Sequence, residues 1–129
     1  MIRSAIAFSL FSSLVLAGCA GSDTTDGSSA TDDCFYIRNV NGWDEIDAKH
    51  AYIKEGVSDH YLVTLVNNCR GLDYANAIAL SNYNGRMCPN DFGAITFRDG
   101  GMRVTCRIDN VEAVSSKDEA IALAESRSE

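Results

Sequence analysis

The amino-acid sequence predicts a mainly β domain, a small curled antiparallel sheet or barrel with a short C-terminal helix. Five or six short runs of strand-forming residues, separated by Gly, Asn, Asp and Ser, follow one another between positions 34 and 114. One pair of runs flanks Gly100-Gly101 as in a hairpin, and a helix pattern begins only after Val114. The alternative is an α+β arrangement in which one helix packs on a sheet.

The first half of this region contains three predicted strands. Residues 35–40 are rich in strand formers and end at Asn41-Gly42, a typical turn, whereas residues 43–47 fit no single pattern. A short strand is predicted at residues 51–53. Residues 61–66, YLVTLV, are apolar on both faces, which predicts a central strand of the sheet.

The second half contains the clearest hairpin. Residues 72–80 predict a short helix or a helical turn leading into a strand, and Asn84-Gly85 predicts a turn. Residues 94–97 and 102–108 form the two arms of the hairpin around residues 98–101. The second arm alternates between an apolar and a polar face, with Met102, Val104, Cys106 and Ile108 on one and Arg103, Thr105 and Arg107 on the other.

The C-terminal tail, residues 115–129, is predicted to be helical. Ser116 is followed three residues later by Glu119, which is the pattern of a capping box at the start of a helix. Alanine, leucine and isoleucine follow, and these residues suit a helix. The folded domain is therefore assigned to residues 34–114, with the helical tail after it.

The N-terminal segment, residues 1–18, has the pattern of a lipoprotein signal peptide. Arg3 precedes an apolar run at residues 5–16, which as a helix would be about 18 Å long, against about 30 Å for a bilayer core. That length suits a signal peptide and not a membrane span. Residues 16–19, LAGC, resemble the lipobox of bacterial lipoproteins at every position. The alternative is an ordinary secretory signal with a chance cysteine.

Cleavage before Cys19 and acylation of its thiol are therefore predicted. Lipoproteins of this class carry three acyl chains, palmitate among them, and this number gives permanent attachment where one chain would hold only marginally. Ala20 follows the cysteine, and by resemblance to lipoproteins of Gram-negative bacteria this favours the outer membrane, facing the periplasm. After the lipidated cysteine, the remainder of residues 19–33 has no large apolar side chain and is predicted to be a flexible linker.

The formal charge of −7 at pH 7 does not describe the domain itself. Residues 34–114 contain eight Lys and Arg against ten Asp and Glu, a balance of −2, and most of the remaining acidity lies in the linker and the tail. No basic stripe with interleaved aromatic residues is visible in the sequence, so nucleic acid is not an expected partner. The expected partners are the lipid membrane, through acylated Cys19, and an envelope protein or cell-wall component.

Four cysteines remain once Cys19 carries lipid, and an even count in an exported domain predicts disulfides. Three pairings are possible, and we favour Cys69–Cys88 with Cys34–Cys106. The first bond would brace the segment between its two cysteines, and the second would tie the first strand to the last. A metal site is not predicted, because zinc ligands normally lie in close pairs along the sequence, whereas these four cysteines are widely spaced.

Four further residues are weak candidates for a site: Asp91, His50, His60 and Trp43. The histidines are the only side chains of a type suited to act as a base near neutral pH, but each lies at a predicted strand start, where an exposed histidine is common. Asp91 follows Cys88 closely, and its simpler role is a local hydrogen bond that orders the loop. Trp43, with nearby tyrosines, could line a pocket for a sugar or peptide, although core packing is the more common role. No catalytic residue and no cofactor is assigned.

The cysteines and the residues around them resemble a known family. Cys34 is followed by Tyr61-Leu62, by CRGL at residues 69–72, by CPND at residues 88–91 leading into Ile95, and by Cys106. This order is similar to that of a family of small exported bacterial proteins, many with lipoboxes, which is classed as a domain of unknown function. The resemblance covers residues 34–114 and implies no activity, cofactor or site.

These observations predict a membrane-anchored envelope lipoprotein whose domain is a non-enzymatic binding or accessory module. The alternative is a small periplasmic hydrolase or ligand-modifying enzyme built around His50 or His60 together with Asp91. The two hypotheses differ in one geometric requirement, because the enzyme needs a histidine within hydrogen-bonding distance of Asp91 in a cleft.

Replacement of the lipid acceptor tests the anchor. Cys19→Ser removes the thiol, so labelling of the protein with a fatty acid should be lost, and the protein should leave the membrane fraction or accumulate as uncut precursor. Ser22→Ala leaves the lipobox intact and should still be labelled. A Cys19→Ser protein that is cleaved and still fractionates with membranes would contradict the lipoprotein prediction.

Overall fold

The computed structural model describes residues 33–128, which form a curled antiparallel sheet and one helix. The strands are β1 (Phe35–Tyr36), β2 (Val40–Asp47), β3 (His50–Glu55), β4 (Asp59–Leu65), β5 (Ala79–Ser81), β6 (Arg86–Met87), β7 (Ala94–Asp99) and β8 (Met102–Val114), and the helix is α1 (Lys117–Arg127). Six strands lie side by side in the order β2-β3-β4-β8-β7-β5, and the two short ones pair separately as β1-β6. The predicted mainly β class is confirmed: the sheet is a half-barrel and the helix is short.

The long strand β8 joins the two halves of the sheet. Its residues 102–107 pair with β7, and its residues 108–114 pair with β4. Between these two segments the register skips Asp109, which lies between the partners of Thr64 and Leu65. A bulge of this kind bends a strand and increases its twist. The position of the bulge therefore allows the two halves of the sheet to face different directions around a common interior.

Two predicted elements agree closely with the structure. The run predicted at residues 61–66 corresponds to β4, which begins two residues earlier and ends at Leu65; it is the third of six strands, and Tyr61, Leu62 and Val63 are buried, which confirms a central position. The hairpin is β7 and β8, whose strands extend until only Gly100 and Gly101 remain between them. Both glycines have a positive φ, a conformation that strains residues with a side chain.

The first predicted strand is divided in the structure. Residues 35–40 form β1, then a 3₁₀ turn at Ile37–Asn39, and then the start of β2. Asn41-Gly42, predicted as a turn, lies inside β2, where the register with β3 shifts. The Asn41 side chain donates to the carbonyl of Gly56 at 2.6 Å, so this residue connects β2 to the turn after β3 instead of ending a strand. The strand then continues through residues 43–47, which the sequence left open.

The main core fills the interior of the half-barrel. Its large members come from β3, β4, β7 and β8, from the short pair β1-β6 and from the segment after β4: Phe35, Ile53, Tyr61, Val63, Leu65, Leu72, Met87, Ile95, Phe97, Ile108 and Val111. Each such side chain, once removed from water, stabilises the fold by about 1.5–3 kcal/mol. Trp43 packs against this core from β2 while staying partly exposed.

A smaller apolar cluster lies on the outer face of the sheet, under α1. Tyr52 and Leu62 contact Ala120 and Ala124, which lie four residues apart on one side of the helix. The helix begins as predicted, since the Ser116 side chain accepts a hydrogen bond from the backbone N–H of Glu119. The Glu119 carboxylate accepts from Ser115, so the return bond of the capping box is made one residue earlier than the pattern predicts.

Two disulfides are present, but the predicted pairing is wrong. The bonds join Cys34 to Cys88 and Cys69 to Cys106, in place of Cys69–Cys88 and Cys34–Cys106. Cys34 reaches Cys88 because β1 and β6 pair with Phe35 opposite Met87.

The second bond follows from the segment after β4, which stays beside the sheet. The backbone N–H of Val66 donates to the carbonyl of Arg107, and that of Cys69 donates to the carbonyl of Ala48. These contacts place Cys69 next to the inward-facing Cys106 of β8. The sequence could not predict this pairing, because neither the β1-β6 pairing nor the path after β4 has a local signal.

Peptide mapping of the unreduced protein tests this covalent framework. Cys34 should be recovered joined to Cys88 and Cys69 to Cys106, with no thiol open to alkylation in residues 34–114. The chain-entropy relation gives about 4 kcal/mol for each bond, a large part of the roughly 5–15 kcal/mol that a domain has. Reduction should therefore lower the melting temperature by roughly 15 °C or more, or unfold the domain. Recovery of Cys69 joined to Cys88 would contradict the framework.

Candidate functional site

The residues that the sequence marked as candidates are distributed over different parts of the fold. Cys19, the predicted lipid acceptor, lies outside the described residues. In residues 33–128 no helix is both long enough and apolar enough to cross a membrane. The four other candidates, Asp91, His50, His60 and Trp43, are all described, and no two of them are hydrogen-bonded to each other.

His50 is buried, and this corrects the expectation that it would be an exposed residue at a strand start. It is the first residue of β3, only 4% of its surface is exposed, and its Nδ1 lies 2.9 Å from both carboxylate oxygens of Asp47. Burial acts to raise the pKa of Asp47, but hydrogen bonds from the Lys49 backbone and the His50 ring lower it overall. The pair spans the tight connection between β2 and β3.

The end of α1 covers this histidine–aspartate pair. The Ser128 hydroxyl lies 2.8 Å from the Ala124 carbonyl oxygen and 3.3 Å from the Asp47 carboxylate, and Arg127 forms a bidentate ion pair with Glu112 of β8. The hydrogen bonds from Arg127 hold the pKa of Glu112 below its usual range, although burial opposes the effect. The hydroxyl of Ser128 contacts the aspartate and not the histidine, so these residues do not form a nucleophile–base pair. The cluster fastens the helix to the sheet.

His60 lies under the beginning of α1. Its Nδ1 is 2.6 Å from the hydroxyl of Tyr52, and the two rings are stacked with their centroids 5.9 Å apart. Lys117 lies 5.9 Å above the same tyrosine ring and forms an ion pair with Asp44. This histidine therefore supports the packing of the helix on the outer face of the sheet.

Asp91 orders the loop between β6 and β7. Its carboxylate accepts a hydrogen bond from the backbone N–H of Cys88 at 3.0 Å, and its own N–H donates to the carbonyl of Cys88 at 3.1 Å. Between them Asn90 has a φ of 64°, which is uncommon for a residue with a side chain. The simpler of the two roles considered for Asp91, a local hydrogen bond, is the one that the structure has.

Trp43 lies at the opening of the half-barrel, where the edge strands β2 and β5 approach each other. It lines a cleft of about 430 Å³ between these strands, together with Ile37 and Leu80. On its other side it borders a second cleft, of about 400 Å³, that contains Glu45 and Asp73. The indole is thus shared between the core and the surface, as expected for a residue able to contact a ligand.

Glu55 and Tyr61 form a buried polar cluster that the sequence did not indicate. Glu55 is 8% exposed and accepts hydrogen bonds from the Tyr36 backbone at 2.9 Å, from the Asn39 side chain at 3.3 Å and from the Tyr61 hydroxyl at 3.3 Å. Burial, with the negative charges of Glu55 and Asp59, raises the pKa of Tyr61 to about 12. The donors lie up to 19 residues from Glu55 in sequence, so no motif could reveal them.

A second group of polar residues lies on the outer face of the β7–β8 hairpin. Arg98 is opposite Arg103, Thr96 is opposite Thr105 with their hydroxyl oxygens 3.1 Å apart, and Arg107 is opposite Ala94. We call the set Thr96, Arg98, Arg103, Thr105 and Arg107 the arginine face. The alternation in the sequence predicted the polar side of β8. It did not predict that Arg98 and Thr96 of β7 would lie opposite Arg103 and Thr105.

A cleft adjoins the arginine face. Its volume is about 480 Å³, and it lies between the hairpin and the segment that leads into β5. Arg98, Arg103 and Thr96 line one side of it, and Asn76 and Ala79 line the other. The cleft is open to solvent and mixes guanidinium, hydroxyl and amide groups with small apolar side chains.

The positive charge of this face is not neutralised by ion pairs. The ion pairs found in residues 33–128 join His50 to Asp47, Lys117 to Asp44 and Arg127 to Glu112, and none includes an arginine of the hairpin. Like charges directly opposite each other across two strands destabilise a sheet. The Arg98–Arg103 pair is therefore unfavourable for folding by itself.

Acidic residues gather at a different part of the sheet, along β2. Burial raises the pKa of Glu45, and the nearby charges of Asp73, Asp47 and Asp44 raise it further. These acidic groups beside β2 lie apart from the arginine face, although β7 and β8 also carry Asp99, Asp109 and Glu112.

Comparison with known proteins gives one match. A family of unknown function, DUF6491, matches residues 1–129. No curated protein and no solved structure matches the chain.

The Tyr61–Glu55 cluster predicts a loss of stability in alkali. The pKa of Tyr61 is about 12 in the folded protein, whereas that of an unfolded tyrosine is near 10. The contribution of Tyr61 to the free energy of unfolding is therefore intact below pH 10 and falls as the pH rises from 10 to 12. The difference corresponds to roughly 2–3 kcal/mol. Tyr61→Phe should remove this part of the decline, measured as the free energy of unfolding by urea at several pH values from 9 to 11.5.

Tyr83→Phe is the matched control, because Tyr83 is 87% exposed. Its stability should decline with pH as steeply as that of the original protein. Equal slopes for Tyr61→Phe and Tyr83→Phe would contradict the role given to the buried cluster.

Proposed function

Because the chain belongs to this family of unknown function, which brings no activity with it, we propose a function from the geometry of the domain and from the N-terminal sequence. The protein is an envelope lipoprotein, held through Cys19 at the outer membrane on its periplasmic side. Its half-barrel domain is a non-enzymatic binding module, and the arginine face with the adjoining cleft is the surface that binds.

Two observations support the location. The disulfides Cys34–Cys88 and Cys69–Cys106 indicate an oxidising, extracytoplasmic compartment. The LAGC motif at residues 16–19, after an apolar run too short to span a bilayer, supports the lipid anchor and the membrane attachment.

The single observation that carries the binding role is the Arg98–Arg103 pair beside an open cleft. Arg98 and Arg103 are directly opposite each other on neighbouring strands, a register in which like charges destabilise a sheet. An anionic group placed between them would remove the repulsion and accept several charge-assisted hydrogen bonds. An arrangement that is unfavourable in the free protein and favourable with a ligand is typical of a binding surface.

The alternative, a small hydrolase or ligand-modifying enzyme, depends on a histidine next to Asp91. Among the described residues His50 is hydrogen-bonded to Asp47, His60 to Tyr52, and Asp91 to the Cys88 backbone. Each group thus has a structural role in a different part of the fold. The binding function is the one that an observed arrangement favours.

Photo-crosslinking in intact envelopes tests the proposed binding surface. A photoreactive phenylalanine analogue at position 79, at the edge of the cleft, should form an adduct with an envelope component when illuminated. The adduct should disappear when Arg98 and Arg103 are both replaced by Gln, because the attraction depends on their charge. The same analogue at Val57, which is 92% exposed in the turn between β3 and β4, is the control. The same adducts at both positions, or none at position 79, would contradict the proposal.

A further inference from the structure

We infer that the ligand of the arginine face is an acidic oligosaccharide, whose carboxylates contact the arginines and whose sugar rings lie along the hairpin. This inference rests on the proposed binding function of the same surface and names the chemical class of its ligand. Four features of the face support it: the paired guanidinium groups, the spacing of the third arginine, the hydroxyl groups between them and an exposed aromatic ring.

The first feature is the Arg98–Arg103 pair. Residues directly opposite each other on antiparallel strands have Cβ atoms about 4.5–5.5 Å apart, so both guanidinium groups can reach one anion. Arg98 also donates to the carbonyl of Gly101 at 3.3 Å, which restrains its side chain near the hairpin turn. A planar guanidinium matches a carboxylate through two parallel hydrogen bonds, which a lysine ammonium does not offer. This end of the face therefore suits a carboxylate.

The second feature is the distance to Arg107. It lies four residues beyond Arg103 on the same face of β8, which corresponds to about 14 Å along an antiparallel strand. With Arg98 hydrogen-bonded at the hairpin turn and Arg107 beside Phe92, a single small anion would not contact both ends of the face in this arrangement. A chain molecule with charges at intervals can do so, and the face therefore suits an oligomer.

The third feature is the surface between the two charged positions. Thr96 and Thr105 present hydroxyl groups there, and a hydroxyl both donates and accepts hydrogen bonds. The neighbouring strand β5 adds Ala79 opposite Thr96 and Ser81 opposite Ala94. Because these side chains are small, they project little from the sheet and leave room for a bulky ring. Hydroxyl groups over a low surface complement the hydroxyl-rich rings of a sugar.

The fourth feature is Phe92, at the end of the face that carries Arg107. The Arg107 guanidinium lies 6.0 Å from the centre of this ring, and 83% of the Phe92 surface is exposed. The apolar C–H side of a sugar ring can pack on an exposed aromatic ring, as aromatic side chains do in many ligand sites. A phenylalanine this exposed contributes little to the core. Its position beside Arg107 therefore suits a contact with a ligand.

The same features argue against two other polyanions. Proteins that bind single-stranded nucleic acid stack successive bases on several aromatic side chains along a continuous basic groove, whereas on this face Phe92 is the aromatic ring in contact with an arginine and the positive charges lie at two separated positions. A lipid surface requires several apolar side chains around the basic ones, whereas on this face Phe92 is the exposed large apolar residue in contact with an arginine. Nucleic acid and lipid vesicles are therefore the competing outcomes of the test.

The test uses the full mature protein, purified from membranes in a neutral detergent, and calorimetric titration. The probe is tetragalacturonate, and the comparison ligand is its methyl ester, which has the same rings and no charge. Tetragalacturonate should bind, and its affinity should fall with salt concentration and at least tenfold in Arg98→Gln/Arg103→Gln. The methyl ester should bind at least tenfold more weakly than the acid. Arg38→Gln/Lys49→Gln removes two exposed positive charges elsewhere and should change the affinity less than twofold.

Two further variants separate this ligand class from simple charge attraction. Phe92→Ala should weaken binding several-fold without changing its dependence on salt, because the ring contributes contact and not charge. Arg98→Lys/Arg103→Lys keeps both charges but loses the planar double hydrogen bonds, so its affinity should lie between those of the original protein and the Gln variant. Since both arginines are exposed and repel each other, the Gln variant should melt no lower than the original protein.

The outcomes distinguish the ligand class from the binding function. Tighter binding of a single-stranded oligonucleotide of equal charge, or of vesicles with anionic lipid, would overturn the oligosaccharide inference. Absence of tetragalacturonate binding, with the arginine-dependent adduct at position 79 retained, would also overturn it while the binding surface stands. Loss of both results would overturn the binding function itself.

Discussion

The fold depends on one strand that must pair with two different neighbours. β8 is 13 residues long, and neither β4 nor β7 is long enough to cover it alone. The skipped residue Asp109 falls at the change from one neighbour to the other. Because side chains alternate along a strand, this extra residue also sets which residues of each half face inward, Ile108 before the bulge and Val111 after it. The interior, the arginine face and the position of the helix all follow from this arrangement.

The polar side chains are divided between two uses. Those with buried partners fasten separate parts of the chain: Glu55 holds the N-terminal segment against β3, Asp47 and His50 brace the β2–β3 connection, and Glu112 receives the end of α1. On the outer side of the hairpin, Arg98 and Arg103 are exposed and repel each other. The fold can tolerate this repulsion because Ile95 and Phe97 of β7 pack into the core on the inner face of the hairpin, where Cys106 of β8 is also bonded to Cys69 in the segment after β4. The inner face of the hairpin thus stabilises the fold, and the outer face exposes the arginines to solvent.

The sequence predicted those features of the fold that are determined by residues close together along the chain. The apolar run of β4, the glycines of the hairpin and the Ser116 cap are local signals, and all three correspond to elements of the structure. The sequence did not predict those features that depend on contacts between residues far apart along the chain. The β1-β6 pairing decides the partner of Cys34, the β2–β3 connection buries His50, and three donors from separate positions surround Glu55. The alternating sequence of β8 predicted that Arg103, Thr105 and Arg107 share one face. That Arg98 of β7 lies opposite Arg103 depends on the register of the hairpin, which the sequence did not give.

The Cys34–Cys88 bond determines how a mechanical load would pass through the domain. A pull from the N-terminal side reaches the described chain at Cys34, and the disulfide transmits it directly to Cys88, six residues before β7 begins. The 53 residues between these cysteines, which include β2, β3, β4 and β5, are bypassed by this covalent path. A ligand held on the hairpin would therefore be linked to the N-terminal end of the domain through only a short stretch of backbone. Tension between the two would not extend the loop that the bond closes, so the domain could bear it without first unravelling.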